Sequence, residues 1–148
     1  MIPISDINPA RNSPIISRIF IFATVAVFIL IQPKNEIELI NFFYEYSAIP
    51  CELLNLSPLS ESQFYNNDCF YKQNIVIFPN KNLIYSVVFA NFFHANFIHI
   101  LGNLWSFWIF GNNVEDKLGK LKFLIFIIFI AILSIGVHIY LNQESIVP

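Results

Sequence analysis

The sequence predicts an all-α polytopic membrane protein with three transmembrane helices and a long external first loop. Of its 148 residues, 56% are apolar and only 12% are charged, which is far from the composition of an average soluble domain. Three stretches are long and apolar enough to cross a hydrocarbon core, which requires about 20 residues in a helix. They lie at 15–32, 95–112 and 122–142.

The first predicted span, 15–32, follows a cytoplasmic lead-in at 1–14 that is rich in proline and turn-forming residues. Arg18 lies near the start of this span, where its side chain can reach the headgroup region. A secretory signal peptide has the same order of charge and apolar core, but no small-residue cleavage site follows this segment. We therefore interpret it as a retained anchor.

The third predicted span is the clearest, because residues 123–143 include no Asp, Glu, Lys or Arg. The second predicted span belongs to an uncharged run over 82–113, which is longer than one crossing requires. We therefore expect part of 82–93 to lie at the membrane interface or to fold back.

The positions of lysine and arginine predict how the spans are oriented. Arg11 and Arg18 flank the start of the first span, and three lysines lie in or next to the turn predicted over 113–121. The loop predicted over 33–94 carries three lysines against six acidic residues. We therefore expect a multi-pass integral membrane protein with a cytoplasmic N-terminus, a cytoplasmic turn, an external loop and an external end at 143–148.

Charge and motifs exclude several classes of function. The formal net charge of −2 leaves no basic patch, so the expected partners are the lipid bilayer and other transmembrane helices, and not nucleic acid. No phosphate loop, nucleotide fingerprint or zinc-protease motif occurs, and we expect no cofactor. Cys51 and Cys69 both lie in the predicted external loop, where they can form a disulfide or stay unpaired. A metal site made from two cysteines without a nearby histidine is less favoured.

Polar side chains interrupt the second predicted span. His99 and Asn103 lie four residues apart and therefore share one face of a helix. Gly102 and Ser106 form a second pair at this spacing, which allows a neighbouring helix to approach closely. The polar pair is expected to face protein, because an amide or imidazole without partners in hydrocarbon costs several kcal/mol.

Three roles are open to His99 and Asn103. The side chains can form interhelical hydrogen bonds that hold a bundle together. Alternatively, His99 can bind a haem or a metal ion together with His138 of the third span. In the third role, their N–H groups stabilise a negative oxygen that develops during acyl transfer. The pair alone is compatible with all three.

The run "FFHANFIHILGNLWSFWIFGNNVEDKLGKLKFL" resembles the second transmembrane helix of rhomboid intramembrane serine proteases. The pattern of that family is His, four residues, His, three residues, Asn, and then Phe-Gly-x-x-Val-Glu followed by a basic turn. This sequence matches it at His94, His99, Asn103, Phe110, Gly111, Val114 and Glu115. The resemblance covers most of the chain and is weakest over 36–82, so residues 1–148 look like the N-terminal part of one rhomboid domain.

The resemblance implies a rhomboid-type helical bundle and the activity of an intramembrane serine-type endopeptidase, which cleaves transmembrane protein substrates without a cofactor or a metal. His99 and Asn103 would then be the oxyanion-stabilising donors. His94 would organise the loop above the site, and Glu115 would anchor the cytoplasmic side through local backbone or basic groups. Three small residues complete the set of structural positions: Gly102, Ser106 and Gly111.

The sequence lacks the catalytic serine and histidine of the family pattern. The nucleophile of the family is a serine in a Gly-x-Ser-Gly motif that begins the fourth span, and the general base is a histidine on the sixth; neither occurs here. Ser134 lies four residues before His138, but no flanking glycines expose its hydroxyl, and a serine on a spanning helix usually bonds its own backbone. The Trp-Arg pair of the first external loop in the family is also absent.

Two expectations follow for function. The first is a truncated half of a rhomboid protease, inactive alone, whose partners include the missing C-terminal half. The alternative is a non-catalytic rhomboid-like membrane protein that binds transmembrane helices through the face of Gly102 and Ser106. The sequence leaves open whether this chain is an enzyme.

Overall fold

The computed structural model of this chain describes residues 12–71 and 75–148, and the predicted lead-in at 1–11 lies outside them. Regular structure in the described ranges is helical, without a β-strand. The helices in chain order are α1 (Ile15–Ala26), α2 (Glu36–Tyr46), α3 (Pro50–Asn55), α4 (Glu61–Asn66), α5 (Leu83–Phe89), α6 (Phe97–Ser106), α7 (Asn112–Leu118) and α8 (Lys120–Leu141).

Short segments of other helical types extend these α-helices. They are a π-helical segment after α1 (Val27–Ile31), a 3₁₀ turn after α5 (Ala90–Phe92) and a π-helical segment between α6 and α7 (Phe107–Gly111). As a result, helical structure covers residues 15–31, where the first span is predicted, and the helix over 97–118 contains most of the residues of the second predicted span.

The turn predicted over 113–121 is much shorter in the structure. α7 carries the helix through to Leu118, and only Gly119 separates it from α8. Gly119 has a φ of 77°, a left-handed conformation that glycine adopts without a steric penalty. Lys117 lies in the last turn of α7, where a cation interacts favourably with the negative end of the helix dipole.

In the described part of the chain, α8 is the one helix that is long and apolar enough to cross a membrane by itself. The helix over 15–31 is apolar but shorter. The segments 83–92 and 97–118 meet the same criterion only when they are taken together across the break between them. Three crossings therefore stay a prediction.

The described residues divide into two compact units. The first unit contains the described residues up to Ile31 together with Phe92–Phe129, and the second contains Gln32–Asn91 and Ile130–Pro148. Aromatic rings hold the first unit together. The ring of Phe107 lies 4.9 Å from that of Phe20 and 6.3 Å from that of Phe123, measured between centroids.

The second unit has a small core of its own around a disulfide between Cys51 and Cys69. The sequence left this pairing open, and the structure brings the two cysteines together. The backbone N–H of Cys51 also donates a hydrogen bond to the Ser145 carbonyl at 3.0 Å, which ties the segment after α8 to the same core. The buried members of this core are Ile49, Cys51, Leu59, Cys69 and Ile146.

A buried ion pair braces the second unit. The Nζ of Lys81 lies 2.5 Å from the Oε2 of Glu52, and each side chain is only 1% exposed. Lys81 also donates to the Tyr44 carbonyl at 2.7 Å, and Glu52 accepts from the Leu59 backbone at 2.9 Å. Burial raises the pKa of Glu52 and lowers the pKa of Lys81, while their mutual attraction opposes both shifts. The pair thus links α2, α3 and the segment just before α5.

Candidate functional site

The candidate site lies at the start of α6, in the first unit. Asn96 caps this helix, because its side-chain oxygen accepts a hydrogen bond from the backbone N–H of His99 at 2.9 Å. The helix continues unbroken from Phe97 to Ser106. His99 and Asn103 therefore lie one turn apart on the same face, as their spacing predicts.

His94 precedes α6, and its side chain is buried. Its Nδ1 lies 3.1 Å from the Phe92 carbonyl oxygen, and its Nε2 lies 3.0 Å from the Nδ2 of Asn103. Burial lowers the pKa of the His94 imidazole, which favours the neutral ring. His94 thus joins the loop before α6 to Asn103, nine residues further along the chain.

His99 completes a cluster with His94 and Asn103. The two imidazole rings are 5.1 Å apart between centroids and meet edge to face, at 67°. Unlike His94, both His99 and Asn103 are exposed in the described structure. The cluster therefore presents two side chains that carry N–H groups on an open face, beside a buried imidazole.

The alternative role as a metal or haem ligand gains no support from the described geometry. Within 12–71 and 75–148, side chains of His, Cys, Asp and Glu do not form a group of three that could hold a metal ion. His138, the other histidine considered for that role, is exposed, and its Nδ1 lies 3.2 Å from the Nδ2 of Asn142.

Two glycines of the second span differ in their surroundings. At Gly102, no atom of the described residues lies within 4 Å of the position that a Cβ would take, and Ser106 is likewise exposed. The close helix approach expected on this face is therefore not made within the described residues. It occurs at Gly111, where a Cβ would lie 3.4 Å from the Oγ of Ser17 and from the ring of Phe107.

Glu115 is buried on α7 and caps the amino end of α1. Its carboxylate accepts hydrogen bonds from the backbone N–H of Ile16 at 3.0 Å, and from the backbone N–H and the hydroxyl of Ser17, both at 2.8 Å. Burial raises the pKa of Glu115, but these hydrogen bonds outweigh it and hold the pKa below its ordinary value. Glu115 thus contacts the backbone and a hydroxyl at the start of α1, and its anchoring role stays a prediction.

Ser17 is a residue of this anchor that the sequence analysis missed. It is fully buried, between the Glu115 carboxylate and Gly111. A serine in the first turn of a mostly apolar helix was the available signal, because the first N–H groups of a helix need acceptors. A second contact lies beside this one, where the backbone and side-chain nitrogens of Asn12 donate to Asp116 at 2.9 and 2.8 Å.

Comparison with known proteins gives one match. Residues 81–147 match the family model of the Rhomboid domain. The search of curated proteins and the search of solved structures each found no match. The matched residues include the cluster of His94, His99 and Asn103, the anchor residue Glu115 and the whole of α8, and the family together with the apolar α8 indicates a membrane protein. Residues 81–147, somewhat less than half of the chain, are therefore similar to the Rhomboid domain.

Proposed function

We propose that this chain supplies the oxyanion-binding half of a rhomboid-like intramembrane serine endopeptidase, which cleaves transmembrane protein substrates. The observation that carries this proposal is the cluster at the start of α6, where His99 and Asn103 are exposed and adjacent to the buried His94. The family match over the same residues supports it.

The chemistry of acyl transfer explains why such a cluster is useful. A serine hydroxyl attacks the scissile carbonyl, whose oxygen becomes negative in the tetrahedral intermediate. Donors about 3 Å from that oxygen stabilise it, and removal of one donor costs about 10²–10³ in rate. Asn103 offers an amide N–H and His99 an imidazole N–H on one open helix face. In free energy, one such donor lowers the barrier by about 3–4 kcal/mol. This exceeds the contribution of a typical interhelical hydrogen bond, about 0.6–2 kcal/mol.

The proposal assigns the nucleophile and the general base to residues outside these 148, because the sequence contains no Gly-x-Ser-Gly motif. Ser134 and His138 do not replace them, since the described hydrogen bonds of His138 are made with Asn142. The 148 residues alone would bind an oxyanion without generating one. We therefore expect this chain to be inactive by itself.

We also propose three membrane crossings with a cytoplasmic N-terminus. Lysines at 117, 120 and 122 surround the start of α8, which supports a cytoplasmic position for that end. The far end of α8 leads to Ser145, which bonds the backbone of Cys51 in the disulfide-containing core. A disulfide persists in an oxidising compartment, so this core supports an external position for the second unit.

The test is cleavage of a reporter transmembrane substrate by the product of a reading frame that includes the nucleophile. We expect Asn103→Ala to lower kcat by about 10²–10³, with little change in KM, because the donor acts only in the transition state. Asn113→Ala is the matched control, since in the described residues that amide donates to the Ile109 carbonyl, one turn earlier in the same helical segment. Unchanged cleavage by Asn103→Ala would refute the proposal, as would a reading frame without a Gly-x-Ser-Gly motif.

A second candidate function has one observation in its favour. The open face at Gly102 and Ser106 has room for a transmembrane helix from another protein, which a non-catalytic rhomboid-like protein could bind. A photo-cross-linking residue at 106 would then capture a transmembrane peptide that the chain never cleaves. The control is position 101, an exposed leucine on a different face of α6. Equal capture from both positions would argue against this candidate.

A further inference from the structure

We propose that His94 is a positioning residue that sets the orientation of the Asn103 amide; this inference rests on the proposed function. His94 contacts two different groups through its two ring nitrogens. One contact holds the loop before α6, and the other reaches the expected oxyanion donor. The role assigned to His94 from the family resemblance concerns the loop alone.

The Phe92 carbonyl determines which nitrogen of His94 carries the hydrogen. A carbonyl oxygen has no hydrogen to give, so the Nδ1 that lies 3.1 Å from it must be the donor. In a neutral imidazole the other nitrogen is then an acceptor. The Nε2 of His94 therefore presents a lone pair to Asn103.

That lone pair in turn determines which way round the Asn103 amide lies. The oxygen and nitrogen of an amide occupy similar space, and the hydrogen-bond network decides between the two orientations. If Oδ1 faced Nε2, two acceptors would meet at hydrogen-bond distance. With Nδ2 facing Nε2 at 3.0 Å, one N–H of the amide bonds His94 and its second N–H is directed elsewhere. His94 thereby fixes the amide in one orientation, with one N–H bonded to the imidazole and the other N–H left for a ligand.

The Asn103 amide depends on this contact for its order. Its side chain is exposed, and in residues 12–71 and 75–148 it has no hydrogen-bond partner other than His94. His94 is itself buried and is held at its opposite nitrogen by Phe92, so it is the rigid member of the pair. The His99 ring packs against the His94 ring, with the two centroids 5.1 Å apart. Catalytic donors must be held within about 0.5 Å of the productive position.

Two substitutions separate the two contacts of His94. In His94→Asn, the short side chain places its NH₂ group near the position of Nδ1, so it can keep the bond to the Phe92 carbonyl but cannot reach Asn103. In His94→Gln, the longer side chain places its oxygen near the position of Nε2, so it can accept from Asn103. If His94 acts in the loop alone, His94→Asn should lower kcat less than His94→Gln does. If His94 positions Asn103, His94→Gln should lower kcat less.

The first experiment measures kcat and KM of the nucleophile-containing protein with these two variants and Asn103→Ala. We expect His94→Asn to lower kcat about tenfold at unchanged KM, a part of the 10²–10³ lost with the donor itself. His94→Gln should lie closer to the parent protein. If His94→Gln lowers kcat more than His94→Asn does, or if the change is confined to KM, the inference about His94 is wrong. In that case a loss of kcat in Asn103→Ala still supports the proposed function. If Asn103→Ala has no effect, both proposals fail.

The second experiment needs no activity and uses the 148-residue chain in detergent micelles. Nitrogen-15 NMR of labelled histidine reports which ring nitrogen carries hydrogen, and His99→Gln and His138→Gln variants assign the signal of His94. We expect His94 to be protonated at Nδ1, with an Nε2 signal that shifts in Asn103→Ala. Protonation at Nε2, or an Nε2 signal unaffected by Asn103→Ala, would overturn the inference whatever the outcome of the kinetics.

Discussion

The carboxylate of Glu115 on α7 accepts two hydrogen bonds from Ser17 at the start of α1, across 98 residues of chain. The first N–H groups of a helix have no partner within the helix, and they carry the positive end of its dipole. A buried carboxylate at this position therefore satisfies both the donors and the charge. The contact joins α1 to α7 inside the first unit.

Replacement of the Glu115 carboxylate tests this contact. We expect Glu115→Gln to lower the free energy of unfolding by about 1–3 kcal/mol, because hydrogen bonds to a charged group are lost and an amide NH₂ faces the N–H donors of α1. The measurement is unfolding of the chain in mixed micelles, followed by circular dichroism. Glu144→Gln is the control, since Glu144 is exposed beyond the end of α8. Equal stabilities of the two variants would contradict the role of Glu115.

Acid should weaken the same contact. The hydrogen bonds from Ile16 and Ser17 hold the pKa of Glu115 below its ordinary value of 4.5, so unfolding raises this pKa. The stability that Glu115 contributes is therefore fully present above pH 4.5 and is lost as the pH falls through the lowered pKa of the folded state. Melting temperatures from about pH 7 down to pH 3 should fall more steeply for the parent than for Glu115→Gln. Parallel curves would show that Glu115 is not the group responsible.

The two glycines of the second span should tolerate enlargement differently. We expect Gly111→Leu to destabilise the first unit by about 1–3 kcal/mol, because the added side chain collides with Ser17 and Phe107. Gly102→Leu should leave the stability of the chain unchanged or slightly raised, because nothing in the described residues lies near that position and leucine favours helix. Thermal unfolding of the two variants side by side provides the comparison. A larger loss of stability in Gly102→Leu than in Gly111→Leu would mean that other residues pack against the helix face at Gly102.

The buried ion pair of the second unit gives a prediction that does not depend on the candidate site. Lys81→Met leaves the Glu52 carboxylate buried without its cation, which should cost about 3–5 kcal/mol. The double variant Glu52→Gln with Lys81→Met should be more stable than Lys81→Met alone, because no charge is then left unpaired. Limited proteolysis of the segment 33–91 reports the loss, and Lys117→Met, at an exposed lysine, serves as the control. If the double variant is no more stable than Lys81→Met, the unpaired charge of Glu52 is not the cause of the lost stability.

The helix over 15–31, α8 and one face of the candidate site could be predicted because they depend on residues close in sequence. Apolar composition sufficed for 15–31 and α8, since a long run without charges has few alternatives to a helix. The spacing of His99 and Asn103 placed them on one face, because four residues make about one helical turn. The extension of the helix through 113–118 was missed, since the predicted turn was drawn from the end of the apolar run and not from helix-ending signals.

The contacts of His94 show what that kind of inference cannot reach. His94 and Asn103 are nine residues apart, and no helical period brings such a pair together. They meet because the chain breaks between Phe92 and Phe97 and turns the imidazole back towards α6. Other contacts were also out of reach of the sequence, because they join residues that are distant in the chain. They are the pairing of Cys51 with Cys69, the ion pair of Glu52 with Lys81, and the packing of Gly111 against Ser17.

By itself, the sequence determined that this is a helical chain with the rhomboid pattern on its second apolar segment, because hydropathy, helical period and motif spacing are local properties. The tertiary structure decided which polar groups satisfy one another: Glu115 with the first turn of α1, Lys81 with Glu52, and His94 with Asn103. The physical reason is that a buried donor or acceptor must find a partner, and the identity of that partner depends on the path of the whole chain.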